Sequence, residues 1–179
     1  MPEYRRHLPH FHPDSAHLFL TWRLSGSLPA VFPRAIHPTP GHAFAAMDRA
    51  LAHSPGPQWL SDTRVARRVS QTIRAGESDK QLYDLHAWAV MPNHVHLLLL
   101  PHFTLSRVTQ WIKGATARDA NNLLGRPGQP FWQHESHDHW VRNEKEFNRI
   151  VVYIENNPVS AGLALAPEDW PWSSAARAS

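Results

Sequence analysis

The chain has 179 residues, of which 42% are hydrophobic and 18% charged, and its formal net charge is only +3. That is the size of one ordinary domain with a real core, and it excludes both a disordered chain and a generic polycation. The absence of cysteine excludes a disulfide framework, a thiolate zinc site and a cysteine nucleophile.

Residues 1–16 are polar and rich in Arg, His and Pro, and read as a flexible arm rather than a secretory signal. His17 to Leu24 predicts a first strand, with Leu18, Leu20, Trp22 and Leu24 alternating against His17, Phe19, Thr21 and Arg23. The stretch 25–62 is a long proline-rich insertion, with a short helix expected at 43–52 and loop elsewhere. Residues 63–75 predict a helix that Gly76 would end. Leu82 to Val90 and His94 to Leu100 predict two strands joined by a turn at Met91-Pro92-Asn93. Thr104 to Leu124 predicts a helix, with Leu105, Val108, Ile112, Ala115 and Leu123 on its buried stripe. Phe131 to Arg142 predicts a strand. Asn143 opens a last helix, with Glu146 placed as in a capping box, and Pro158 is expected to stop it near Asn157.

The order is that of an α+β, ferredoxin-like βαββαβ antiparallel sheet with helices on one face, plus a C-terminal helix and tail. A single domain over 17–176 follows. The longest aliphatic run, Leu97 to Leu100, is too short to span a bilayer, so a cytoplasmic protein with no membrane partner is expected.

Of the 18 cationic side chains, 15 are Arg. Arg holds phosphate in a planar fork and stacks on bases, so the bias suits a nucleic-acid partner; a GC-rich genome would produce it equally well.

Two local features bear on chemistry. In Met91-Pro92-Asn93-His94-Val95-His96, His94 and His96 project from the same face of a strand. They can chelate one divalent metal ion or serve as structural histidines. On the last helix, Tyr153 lies at the edge of the core stripe formed by Phe147, Ile150, Val151 and Ile154, with Asn157 one turn on. Tyr153 is either a boundary residue with a wet hydroxyl or a nucleophile. Taken together the features fit one reaction, attack of a tyrosine on a DNA phosphodiester beside a metal held by two His and a further polar ligand. Tyr4 in the arm and Tyr83 at a strand start are poorer candidates. Arg107, Trp111 and Arg118 share one edge of the helix 104–124, where they could bind a nucleic-acid backbone and stack a base. His134, His137 and His139 could form a second metal site, or be strand-face histidines.

Pro92-Asn93-His94-Val95-His96 resembles the histidine–hydrophobic–histidine motif of the HUH endonucleases. The run from Tyr153 to Leu163 resembles the tyrosine-helix signature of single-tyrosine, insertion-sequence-200-like transposases. More closely, the chain resembles the REP-associated tyrosine transposases, through these motifs and through Thr21 to Pro29, Trp111-Ile112-Lys113-Gly114, Phe131-Trp132-Gln133, Asp138 to Arg142 and Trp170 to Ala175.

The resemblance implies a metal-dependent enzyme that cleaves and rejoins single-stranded hairpin DNA, such as REP-like palindromes, through a 5′-phosphotyrosine. Tyr153 would be the nucleophile, and His94, His96 and Asn157 would hold Mg²⁺ or Mn²⁺. Arg107, Trp111, Lys113, Arg118, Arg142 and Arg149 would contact DNA. No nucleotide cofactor is implied. The protein would be a monomer or homodimer associated with a bacterial nucleoid. Two competing readings are a non-catalytic binder of hairpin DNA or RNA on the same fold, and a metal-dependent hydrolase using His94, His96 and the His137 region.

Overall fold

The computed structural model describes residues 16–28, 46 and 48–177. The arm expected at 1–16 lies outside them apart from Ala16, as do 29–45 of the proline-rich stretch.

Four strands form one sheet: β1 (Leu18–Arg23), β2 (Tyr83–Val90), β3 (His94–Pro101) and β4 (His137–Trp140). Their spatial order is β2-β3-β1-β4, and every neighbouring pair is antiparallel. Three long helices accompany it: α1 (Thr63–Ser78), α2 (Leu105–Leu123) and α3 (Glu144–Ser160). The α+β, βαββαβ order with a C-terminal helix is therefore observed.

The period-two alternation of the strands divides two cores. Leu18, Leu20, Trp22, Val95, Leu97 and Leu99 face α1 and α2, where Val65, Val69, Ile73, Val108 and Ile112 close over them. Phe19, Ala87, Ala89 and Leu98 face the opposite way and pack against Ile150 and Ile154 of α3. The small side chains of Ala87 and Ala89 leave room for α3 against the sheet. Cross-strand partners share a face, so a row of Ala89, His96, Thr21 and His137 runs under α3, beside a row of Ala87, Leu98, Phe19 and His139.

Three boundaries and one buried stripe differ from the expectation. Gly76 does not end α1, which continues to Ser78. A Cβ at Gly76 would overlap the Tyr83 ring and hydroxyl, and that hydroxyl donates to Ile73 O at 2.6 Å. The glycine is thus required by close approach rather than by helix termination. Pro158 does not stop α3 at Asn157. The buried proline sits in the last turn, which is closed by Ala161 N to Asn157 O and Leu163 N to Pro158 O, both 2.9 Å, before Gly162 turns the chain at φ 71°. The strand expected over 131–142 is ordered as β4 only over 137–140. Residues 131–133 still bridge the end of β1, through Ser25 N to Phe131 O and Gln133 N to Arg23 O, both 2.8 Å. Lys113 Nζ donates to Gln133 O, His134 O and Ser136 Oγ at 2.7–3.2 Å, which ties the interruption between the bridge and β4 to α2. On α2, Thr116, Ala120 and Asn121 are buried, whereas Leu123 is exposed and Ala115 and Leu105 are only half-buried.

Asn143 caps α3 as expected, accepting from Glu146 N at 2.9 Å. Glu146 reaches back one residue further than a capping box requires, to Arg142 N at 2.8 Å, and also meets His139 Nε2 at 3.0 Å. The tail returns to the outer edge of β2. Val90 N donates to Trp172 O and Ser174 N to Trp88 O, and Ser173 bridges Ala89. Among the described residues, no helix is long and apolar enough to cross a membrane.

Candidate metal and tyrosine site

The site lies on the α3 face, where the turn 91–93 delivers the chain into β3. His94 and His96 are both buried, and their Nε2 atoms are 3.1 Å apart. Asp48, in a short helical segment at 48–52, inserts Oδ1 against the pair, 3.2 Å from His94 Nε2 and 3.1 Å from His96 Nε2. On its other side, Asp48 Oδ2 accepts from the Tyr153 hydroxyl and, at 2.7 Å, from Asn157 Nδ2. The Tyr153 ring meets His96 and Phe19 edge-on, with centroids 5.8 and 6.0 Å away.

The electrostatics follow from burial. By itself burial would push the Asp48 carboxyl up, but the two imidazoles outweigh it and hold the group far below the usual range, so it is ionised. Burial lowers His94 against the pull of Asp48. Burial, and then the Asp48 charge, push the Tyr153 phenol well above its ordinary value. At neutral pH the site holds a carboxylate, a neutral His94 and a protonated tyrosine.

The donor set fits a divalent cation. Asp48 Oδ1 is buried and receives no well-formed hydrogen bond. Three donor atoms facing one another at 3.1–3.2 Å match adjacent ligands of one octahedral ion, which at about 2.1 Å from the metal lie about 3.0 Å apart. Among the described residues, Asp48, His94 and His96 are the group of His, Asp and Glu side chains close enough to share an ion. His134, His137 and His139 do not form a second one. His137 and His139 are separate positions under α3, and His139 is paired with Glu146.

The structure thus brings together His94, His96, Tyr153 and Asn157. Asn157 reaches the site through its amide nitrogen, against Asp48. Arg142 and Arg149 are exposed around the start of α3, beside Glu146. Arg107, Trp111, Lys113 and Arg118 belong to α2, on the other side of the sheet. Arg107 covers Phe103 at 4.0 Å and, with Trp111 and Lys80, lines a cavity of about 390 Å³. Arg118 is exposed beside Asp119, and Lys113 is engaged with the 133–136 loop.

Sequence reasoning missed Asp48, which reaches His94 from 46 residues away, out of the short helix expected at 43–52 within the proline-rich stretch. It also missed Arg23, which the β1–β3 register sets directly beside His94 on the same face. That position could have been found from the alternation of β1.

A solved structure of a REP-associated tyrosine transposase bound to a REP hairpin shares this fold, with a TM-score of 0.60 and 22% sequence identity over 97% of this chain and 82% of that one. The sequence family described as "Transposase IS200 like" matches residues 57–157, more than half of the chain. The chain belongs to that transposase family, a class of DNA-processing proteins. It is 29% identical over 92 residues to the REP-associated tyrosine transposase of Escherichia coli (strain K12). It is 26% identical over 103 residues to a putative REP-associated tyrosine transposase of Haemophilus influenzae. Each match takes in 51% of this chain, and 53% and 58% of the respective relatives, so the aligned segment spans a little over half of their length. The family match includes His94, His96, Tyr153 and Asn157. Asp48 lies outside it.

Proposed function

We propose that the protein is a metal-dependent endonuclease and transposase of single-stranded DNA, which cleaves and rejoins hairpin (REP-like) DNA through a 5′-phosphotyrosine at Tyr153. The observation that carries this reading is the Asp48 carboxylate, which touches both imidazoles with one oxygen and the Tyr153 hydroxyl with the other. Nucleophile and metal ligands are thereby held at one point.

A Mg²⁺ or Mn²⁺ ion held by His94, His96 and Asp48 would neutralise and polarise the scissile phosphate. Asn157 orients the shared carboxylate through its amide nitrogen. The Tyr153 oxygen forms the new O–P bond, and the bridging bond to the 3′ oxygen breaks, leaving a free 3′-OH. As the O–P bond forms, the tyrosine's proton passes to its hydrogen-bond acceptor, Asp48 Oδ2, and the departing 3′ oxygen takes up a proton in exchange. Attack of a 3′-OH on the phosphotyrosine reverses the step and rejoins the strand without ATP. Arg23, beside His94, offers a guanidinium to a non-bridging phosphate oxygen. Arg149 lies on the helix that bears Tyr153 and Arg142 just before its cap, and we assign both contacts to the DNA backbone. Contacts by Arg107, Trp111 and Arg118 would require DNA that continues round to the α2 side.

The test is covalent trapping. A labelled single-stranded REP-like hairpin with single-stranded flanks is mixed with protein and Mn²⁺ and run on a denaturing gel. A protein–DNA adduct that disappears in Tyr153→Phe and in EDTA is the expected result. Tight binding that survives both changes, with no adduct, supports the binding-module reading instead.

A further inference from the structure

We infer that Asn93 is a positioning residue that fixes two of the three metal donors with one carboxamide, an inference that rests on the metal reading above. Asn93 is 2% exposed and ends the turn before β3. Its Nδ2 donates to Leu51 O at 2.8 Å, and its Oδ1 lies 2.7 Å from His94 Nδ1. Because the nitrogen is committed to a carbonyl, the oxygen is the atom that faces the imidazole. A carboxamide oxygen only accepts, so His94 Nδ1 carries the hydrogen and Nε2 presents its lone pair. That lone pair points at His96 Nε2 and Asp48 Oδ1.

The second half of the amide acts on Asp48. Leu51 belongs to the same helical segment, 48–52, three residues further on. Holding Leu51 O holds the backbone that presents the Asp48 carboxylate. The amide is itself fixed, since Asn93 O accepts from Leu24 N at 2.8 Å at the end of β1. His96 is held differently. Its Nδ1 meets the Thr21 hydroxyl at 2.7 Å, and a hydroxyl can either donate or accept. Asn93 both dictates a tautomer and ties the ligand strand to the ligand-bearing insertion.

The experiment uses the full chain stripped with EDTA. Nitrogen-15 NMR of the imidazoles reads the His94 tautomer, and calorimetric titration with Mn²⁺ reads affinity. Wild type should show the Nδ1–H tautomer at His94. Asn93→Ala should lose that preference and bind Mn²⁺ about 10–100-fold more weakly, the usual effect of removing a residue that orients a ligand. Asn93→Asp keeps an acceptor for His94 and loses the donor to Leu51, so it should retain the tautomer and bind with intermediate affinity. An Nε2–H tautomer in wild type overturns the role, as does Asn93→Ala binding within twofold of a wild type that does bind. Failure of the wild type to bind Mn²⁺ overturns the metal reading itself and this role with it.

Discussion

The Tyr153 hydroxyl donates to the Asp48 carboxylate across 105 residues of chain. The contact joins the tyrosine helix to a segment that lies outside the part of the chain matched by the family. It makes Asp48 the shared element of the site: its Oδ1 faces the imidazoles and its Oδ2 accepts from the Tyr153 hydroxyl.

Removing that carboxylate should therefore affect metal and tyrosine together. Asp48→Ala is expected to weaken Mn²⁺ binding by at least about tenfold, or about 1.4 kcal/mol, in calorimetric titration. It should also lower the Tyr153 phenol pKa, since the anion beside it is gone while burial remains. Spectrophotometric titration of tyrosinate, with Tyr153→Phe as the blank, reads that shift. An unchanged Mn²⁺ affinity would remove Asp48 from the ligand set.

Metal binding should stabilise the fold. With Mn²⁺ at a hundred times its dissociation constant, linkage gives about 2.7 kcal/mol. Thermal melts should rise on adding Mn²⁺ and fall back with EDTA. A variant with both His94→Ala and His96→Ala should melt at one temperature in either condition.

The two cations Lys113 and Arg149 should behave differently, although both were expected to contact DNA. Lys113 holds three acceptors of the 133–136 loop, so Lys113→Ala should cost about 1–3 kcal/mol of stability, the penalty for stranding part-buried polar groups. Arg149 is exposed beside Glu146. Arg149→Ala should leave urea melts unchanged and lower the salt dependence of hairpin binding by about one unit of slope. A melt that leaves Lys113→Ala unaffected would contradict the anchoring role.

Asp62 caps α1, accepting from Arg64 N at 2.9 Å, and its pKa falls from 3.8 to about 2 through the side-chain and backbone bonds of Arg64. A depressed carboxyl stabilises the fold above its unfolded-state value and loses that contribution as pH falls through the folded value. Wild type should therefore exceed Asp62→Ala by about 1 kcal/mol near pH 7. The difference should shrink between pH 4 and pH 2, as followed by urea melts. A gap that stays constant to pH 2 would rule out the charged cap.

Gly76→Ala ordinarily improves a helix interior by about 1 kcal/mol. Here the new methyl overlaps Tyr83, and overpacking of this kind costs about 1–3 kcal/mol. A lowered melting temperature is expected; a raised one would mean that Tyr83 can move aside.

Much of this arrangement is legible in the residues. The alternation of Leu18, Leu20 and Trp22 against Phe19 and Thr21 defines β1, and the same period puts His94 and His96 on one face. The α3 stripe and the Asn143 cap follow from spacing alone. What was not legible depends on distant partners. Gly76 looks like a stop until Tyr83 is seen beside it. Pro158 looks like a stop because local sterics say nothing of the hydrogen bonds that close the next turn. Asp48 belongs to a short helix whose spacing marks no partner, and its meaning appears only when folding brings it to His94.

The return of the tail to β2 has a consequence for how the molecule meets other chains. Trp172 and Ser174 take up the rungs that Trp88 and Val90 would otherwise offer to a passing strand, and Ser174 Oγ also donates to Glu155 on α3 at 2.9 Å. An outermost strand left open is a template for unwanted pairing. Residues 172–174 act as a selvedge on that margin and stitch it to the tyrosine helix, so that detaching them would loosen α3 and unmask the border together.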